Sequence, residues 1–244
     1  MPQALLSLEA VSKSYWRGTS EVRVLCDAEL EIERGEFIGV WGKRGSGKST
    51  LLRIAAGLEA PDRGAVRFEG EDLSTLSEGA QARLRRDRIA LVRRAGPRSE
   101  LRMLDYVALP LLVQRGRRDA NRLADRALQR VGMGQVSGQR WESLSDGERA
   151  FVAIAHGIAR APRLLLVDDP TANLDVLERD KILQLLRSLV EGDGLAVLMT
   201  APDMPAALGS DQLRALSGGR LITRAPKPGN DDNVVDLSGY QRSA

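Results

Sequence analysis

Nine consecutive residues, Gly42-Lys43-Arg44-Gly45-Ser46-Gly47-Lys48-Ser49-Thr50, carry the most legible chemistry in this chain. Their order fits G-x-x-x-x-G-K-[ST], the pattern of a loop that cradles the phosphates of a nucleoside triphosphate. Glycines at 42, 45 and 47 let the backbone curl until successive N–H groups face inward, and a helix opening at the end of the loop adds the positive end of its dipole. Lys48 is placed to reach the β- and γ-phosphates and Ser49 to ligate Mg²⁺, while Lys43 and Arg44 add positive charge. A chance Gly-Lys-Ser in a glycine turn would share the letters but not the setting. Here an apolar strand, Phe37 to Trp41, precedes the loop, and a helix from Ser49 to Ala56 follows with Leu51, Leu52, Ile54 and Ala55 on one face.

The elements around that loop predict an α/β fold. Leu5 to Tyr15 and Val22 to Ile32 alternate apolar and polar residues about the turn Gly18-Thr19-Ser20, an antiparallel pair. Ala65 to Phe68 reads as a strand, Ser77 to Arg86 as a Ser-capped helix, and Ile89 to Val92 as a short buried strand ended by Gly96-Pro97. Helical spacing runs over Leu101 to Val113 and Ala120 to Val131, interrupted at Pro110 and Gly116. Leu164 to Val167 and Leu195 to Thr200 are apolar strands on either side of an amphipathic helix, Leu174 to Val190, so strand and helix alternate around a parallel sheet.

Composition narrows the classes. With 244 residues, 43% of them hydrophobic, the chain can bury a sizeable core as one lobed unit. It has no apolar run of membrane-spanning length, no secretory leader at Met1 to Ala10, and a single cysteine, Cys26; the expectation is a soluble chain of the cytoplasm. Net charge is only +3, yet eight of the twenty residues from Arg83 to Arg102 are arginine, a basic face that is most often a solvated helix surface and whose first functional reading is docking of an acidic partner, ahead of attraction to an anionic membrane leaflet. No aromatic interleaves with those arginines, which argues against single-strand stacking and weighs against nucleic acid as a partner.

Four further stretches make the chain resemble the ATP-binding subunit of an ABC transporter over about Leu5 to Arg224. Leu144-Ser145-Asp146-Gly147-Glu148 is similar to the signature LSGGQ, Leu164 to Asp168 to the Walker B strand, and Pro170-Thr171-Ala172-Asn173-Leu174-Asp175 to the D-loop. Tyr15 stands where an adenine-stacking aromatic is expected. Gly-Glu-Phe before the loop strand, Ser-Thr-Leu-Leu after the loop and Asp105 to Pro110 most resemble the branch serving lipoprotein release, macrolide export and cell division.

The resemblance implies a P-loop NTPase core of RecA type with an antiparallel β lobe and an inserted helical subdomain at about 94–160, the whole spanning 1–224 before a mobile polar tail at 225–244. It implies ATP and Mg²⁺ as cofactors, with Asp168 joining Ser49 at the metal. Ser145 and Gly147 would face the phosphate held by a second subunit. The partners implied are membrane permease subunits and another ATP-binding subunit, at the inner face of the cell membrane.

Hydrolysis in the family is credited to a Glu, a Gln and a His, and the matching positions here hold Asp169, Arg94 and Ala201. The one histidine, His156, lies before Walker B and cannot substitute. Asp169 is one methylene shorter than Glu, and Asp146 puts an anion beside the partner's γ-phosphate. The expectation is retained ATP binding with weakened turnover, Lys48 and Asp169 carrying what catalysis remains, and a heterodimer favoured over a homodimer. A non-hydrolysing regulatory module is the alternative. A DNA-repair type ABC ATPase would need a long coiled coil between loop and signature, and Leu51 to Ser143 holds no sustained heptads.

Overall fold

Strand β3, Phe37–Trp41, lies between two parallel neighbours in a six-stranded sheet. The computed structural model describes residues 4–93, 96–97 and 100–222. In it the sheet runs, in spatial order, β10 (Arg220–Ile222), β9 (Gln212–Ser217), β3, β8 (Ala196–Ala201), β7 (Leu164–Val167) and β6 (Ile89–Val92). All pairs are parallel except the β9–β10 hairpin. Strands β7 and β8 are buried along their whole length, as a parallel sheet covered on both faces requires.

The two-residue period of these strands sorts their side chains into two cores. Phe37, Leu165, Val167, Val197 and Met199 face one core, and Ile38, Val40, Leu164, Leu166 and Leu198 face the other. The second core is closed by helix α1 (Lys48–Ala55), through Leu51, Leu52, Ile54 and Ala55, and by a four-stranded antiparallel sheet in the order β2 (Ser20–Ile32), β1 (Leu6–Arg17), β4 (Arg63–Phe68) and β5 (Glu71–Asp72). Strand β1 kinks against β4 between Glu9 and Ser12, where Ala10 has φ 48° and Gly64 has φ 85°. A Cβ on Gly64 would sit 2.4 Å from the Glu9 carbonyl oxygen, so the kink admits only glycine there.

Helix α2 (Glu78–Asp87) starts on Ser77, whose hydroxyl accepts from the Ala80 N–H. The arginines of this region do not form one free face. Arg85 donates to the Gly57 carbonyl, Arg86 forks onto Asp87, Arg88 reaches Glu69, and Arg102 pairs with Asp105. Arg94 and Arg98 lie outside the described residues, as does the tail from 223 onward.

The first core is covered by α3 (Met103–Ala108), α4 (Arg117–Arg130), α5 (Asp146–Ile158) and α6 (Val176–Asp193). At its margin, the His156 ring stacks on Tyr106 at 4.5 Å and Tyr106 meets Trp141 edge-on at 5.8 Å. Gly96 lies so close to Trp141 that a Cβ there would fall 2.0 Å from the ring. Burial, with the nearby Arg160 charge, pushes the His156 pKa down to about 4, so the imidazole is neutral in the folded protein. The unfolded chain protonates it near 6.5. Stability contributed by the neutral ring is therefore complete above about pH 6.5 and lost as pH falls toward 4, by up to about 3 kcal/mol. Denaturant unfolding at pH 7 and pH 4.5 should show His156→Phe losing less stability on acidification than the wild type.

Candidate functional site

The loop between β3 and α1 is held at both ends. The Gly42 N–H donates to the Ala201 carbonyl at 3.2 Å, and the Ser46 N–H to that of Lys43 at 3.1 Å. Gly45 and Gly47 take φ of 83° and 107°, conformations that side chains resist, and a Cβ on Gly47 would lie 2.7 Å from the Val24 carbonyl. Helix α1 thus opens on a glycine with no side-chain cap and no acid in its first turn, leaving its amide groups and its field available to an anion. Ser46 Oγ is buried with no hydrogen-bond partner in the structure, a further polar atom in a loop whose residues 43–45 are exposed.

Lys48 is buried at 6% exposure, its Nζ donating to the Gly42 carbonyl at 2.8 Å and, more loosely, to that of Lys43 at 3.4 Å. Across the cleft, Asp169 Oδ2 lies 3.9 Å from that ammonium. Asp168 follows β7, its N–H donating to the Val92 carbonyl at 3.0 Å, and its Oδ1 accepts from the Thr200 hydroxyl at 2.9 Å. Asp169 itself is left-handed, φ 47°, with its N–H donating to the same Thr200 oxygen at 3.1 Å. Phosphate loop, Ser49, Asp169, Asn173 and Tyr15 line one open cleft of about 710 Å³.

Tyr15 borders that cleft with its hydroxyl tethered. It donates to Glu59 at 2.6 Å and accepts from Arg53 at 2.8 Å, and Arg53 also bonds Glu59 at 2.9 Å. Burial alone would raise the Glu59 pKa, but the hydrogen bonds from Tyr15 and Arg53 outweigh it and hold the carboxylate below its usual range. The ring is therefore tethered through its hydroxyl, and Lys13 Nζ lies 5.9 Å from its centroid.

The described residues hold no group of three His, Cys, Asp or Glu side chains able to hold a metal by themselves. A hydroxyl and one or two carboxylates beside a phosphate cradle suit Mg²⁺, which keeps waters and takes its remaining ligands from phosphate.

Ser145 and Gly147 sit elsewhere, at the start of α5, and do not line this cleft. Ser145 caps the helix reciprocally: its Oγ accepts from the Glu148 N–H at 3.2 Å while Glu148 Oε2 accepts from the Ser145 N–H at 2.9 Å. Asp146 pairs with Arg149 at 3.2 Å, and the same guanidinium donates to the Trp141 and Glu142 carbonyls. The Asp146 charge is thus paired with a cation one helical turn away. Gly147 is buried against α6, where a Cβ would come within 2.6 Å of Glu178.

A sequence profile described as ABC transporter matches residues 25–172, from within β2 through the phosphate loop and α5 to the segment after Asp169. The chain belongs to the ABC transporter family. Among its relatives, a lipoprotein-releasing system ATP-binding protein LolD of Pseudomonas syringae pv. tomato is 38% identical over 222 residues, 90% of this chain and 98% of that protein. LolD 1 of Rhodospirillum rubrum is 35% identical, over 91% of this chain and 99% of its own. Two dimeric structures of the bacterial cassette MJ0796, one in a post-hydrolysis state with ADP and Pi, match with a TM-score of 0.81 at 30% and 31% identity, covering 88% of this chain and 96% of theirs. The relatives fall in the lipoprotein-release branch that the sequence resembled.

Within this ABC cassette, the family's Gln position, Arg94, lies outside the described residues. Ala201 ends β8 fully buried in the first core, with Trp41 packed against that core. Sequence reasoning singled out neither Thr200 nor the Arg53–Glu59 pair. Both act through partners more than thirty residues away in sequence, Thr200 through the pairing of β8 with β7 and the Arg53–Glu59 pair through the packing of α1 and the loop after it against β1.

Proposed function

We propose that the cleft binds Mg·ATP, and that the chain closes around it on a second ATP-binding subunit to drive or gate a membrane-embedded partner. The observation that carries this is the cradle itself: an uncapped helix start, a buried lysine and an acid 3.9 Å from it share one open cleft. In this assignment Tyr15 stacks on the adenine and residues 42–50 enclose the phosphates. Lys48 meets the β- and γ-phosphates, and Ser49 with Asp168 holds the metal. Mg²⁺, when bound, supplies charge neutralisation at the phosphate oxygens. Ser145 and Gly147, away from the cleft of their own chain, present the α5 start to the nucleotide of the opposite subunit.

Turnover is proposed to be weak. Asp169 falls short of a water that a glutamate would orient, and Ala201 offers no hydrogen bond where preorganised polar contacts supply the largest catalytic term. Two copies of this chain would carry both lesions in both composite sites, so pairing with a different ATP-binding subunit is favoured. By its LolD relatives, the membrane partner belongs to a lipoprotein-release type of system, with this chain on the cytoplasmic face. Among the described residues no helix is long and apolar enough to cross a membrane, so attachment would run through that partner.

Affinity purification of the chain from membranes should bring down a polytopic membrane protein and a second ATP-binding subunit, the latter held more tightly in Mg·ATP than in EDTA. Recovery of a nucleotide-independent monomer with no membrane protein would overturn the assembly. Brisk phosphate release by the isolated chain would overturn the weak turnover.

A further inference from the structure

The strand register that builds the site also places a hydroxyl beneath it. Leu166 pairs with Leu198 and Val167 with Met199 in the parallel β7–β8 ladder, so the next position sets Asp168 opposite Thr200. On the other side, Val40 of β3 pairs with Thr200 two residues before the phosphate loop begins. Alternation along β8 turns Thr200 toward the α1 side, with Leu198, while Met199 and Ala201 face the helical core. Thr200 is therefore fully buried between the strand that delivers the phosphate loop and the strand that delivers both acids.

Its hydrogen bonds have only one consistent direction. The Asp169 N–H can only donate, so the Thr200 oxygen accepts there at 3.1 Å. The hydroxyl proton is then free for Asp168 Oδ1 at 2.9 Å, a carboxylate oxygen that can only accept when ionised. The first bond helps hold the left-handed Asp169, whose φ of 47° is sparsely populated for a residue with a side chain. The second fixes the rotation of the Asp168 carboxylate and so the direction of its other oxygen.

We infer that Thr200 is a positioning residue, a single hydroxyl that presets Asp168 for the divalent cation and clamps the backbone turn carrying Asp169. This rests on the function proposed above for the cleft. A carboxylate already fixed has less freedom to lose when a cation arrives, whereas a loose one must be ordered at that moment. The nucleotide's own hold on the loop, through α1 and Lys48, does not pass through Thr200.

The test is nucleotide binding by the full-length chain, read with a fluorescent ATP analogue while Mg²⁺ is titrated, and again in EDTA. Thr200→Val keeps the shape and removes the donor. It should raise the Mg²⁺ concentration for half-maximal binding roughly tenfold, leave affinity in EDTA within about twofold, and be rescued by Thr200→Ser. An unchanged Mg²⁺ requirement in Thr200→Val, or equal loss with and without Mg²⁺, would overturn the inference. Amide hydrogen exchange on the wild type gives an arm that needs no folded variant. The Asp169 N–H should be protected without nucleotide, and exchange as fast as an open loop amide would overturn the clamp. If the wild type bound no nucleotide in either condition, the function proposed for the cleft would fall, and the Asp169 amide would still decide the clamp.

Discussion

Asp169→Glu is expected to raise steady-state phosphate release by on the order of a hundredfold. The position already has the right address: it follows β7, lines the cleft, and points a carboxylate oxygen to 3.9 Å from Lys48. What it lacks is reach. One more methylene advances the carboxylate by about 1.5 Å, and a misplacement of about 1 Å can cost on the order of a hundredfold in rate. The gain carries a stability cost. Aspartate tolerates the left-handed conformation at φ 47° better than glutamate, so the variant should be less stable by about 1 kcal/mol. Ala201→His alone is expected to help less, because that methyl group is fully buried and an imidazole must displace core side chains, at about 1–3 kcal/mol. Phosphate release and ATP affinity measured on both single variants and the double would separate reach from packing. Intact binding with no gain in Asp169→Glu would mean that carboxylate length is not what limits turnover.

The parts of this fold governed by local rules were legible in the chain. Phe37–Trp41 occupies the strand its apolar run predicts, and β6 and β7 coincide with Ile89–Val92 and Leu164–Val167, because short continuous apolar runs bounded by turns are what a doubly covered parallel sheet selects. Helix α6 begins at Val176 instead of Leu174 because Asp175 caps it, accepting from the Glu178 N–H. The β9–β10 hairpin was missed although its signal was present: Gly218-Gly219 joins the strands as a two-residue turn with φ of 56° and 77°. Mixed polarity in Gln212–Ser217, between the edge strand β10 and β3, hid the strand. Charge was harder to read, since a run of arginines says nothing of which carbonyl or carboxylate each will meet across the fold, and several are already engaged. Thr200 was invisible for the same reason, because a threonine ending an apolar strand acquires its partners only through register with β7.

Lys48→Ala is expected to weaken Mg·ATP binding by a hundredfold or more, corresponding to about 2.7 kcal/mol or above, the scale of losing charge-assisted bonds in a desolvated site. The ammonium is at 6% exposure, held by the Gly42 carbonyl at 2.8 Å, so its place is set before any ligand enters and little ordering is left to be done on binding. Its removal frees the Gly42 and Lys43 carbonyls beside space that Lys48 shared with an open cleft, where water can replace the donor, so thermal stability should change far less than affinity. Arginine should not rescue it, because a planar guanidinium is too broad for a space bounded by the loop carbonyls and is directed as a fork instead of a point charge. Calorimetry on the alanine and arginine variants, beside their unfolding curves, separates a lost contact from a lost fold. Unchanged affinity in Lys48→Ala would remove the phosphates from this loop and, with them, the reason for Asp168 and Asp169 to stand where they do.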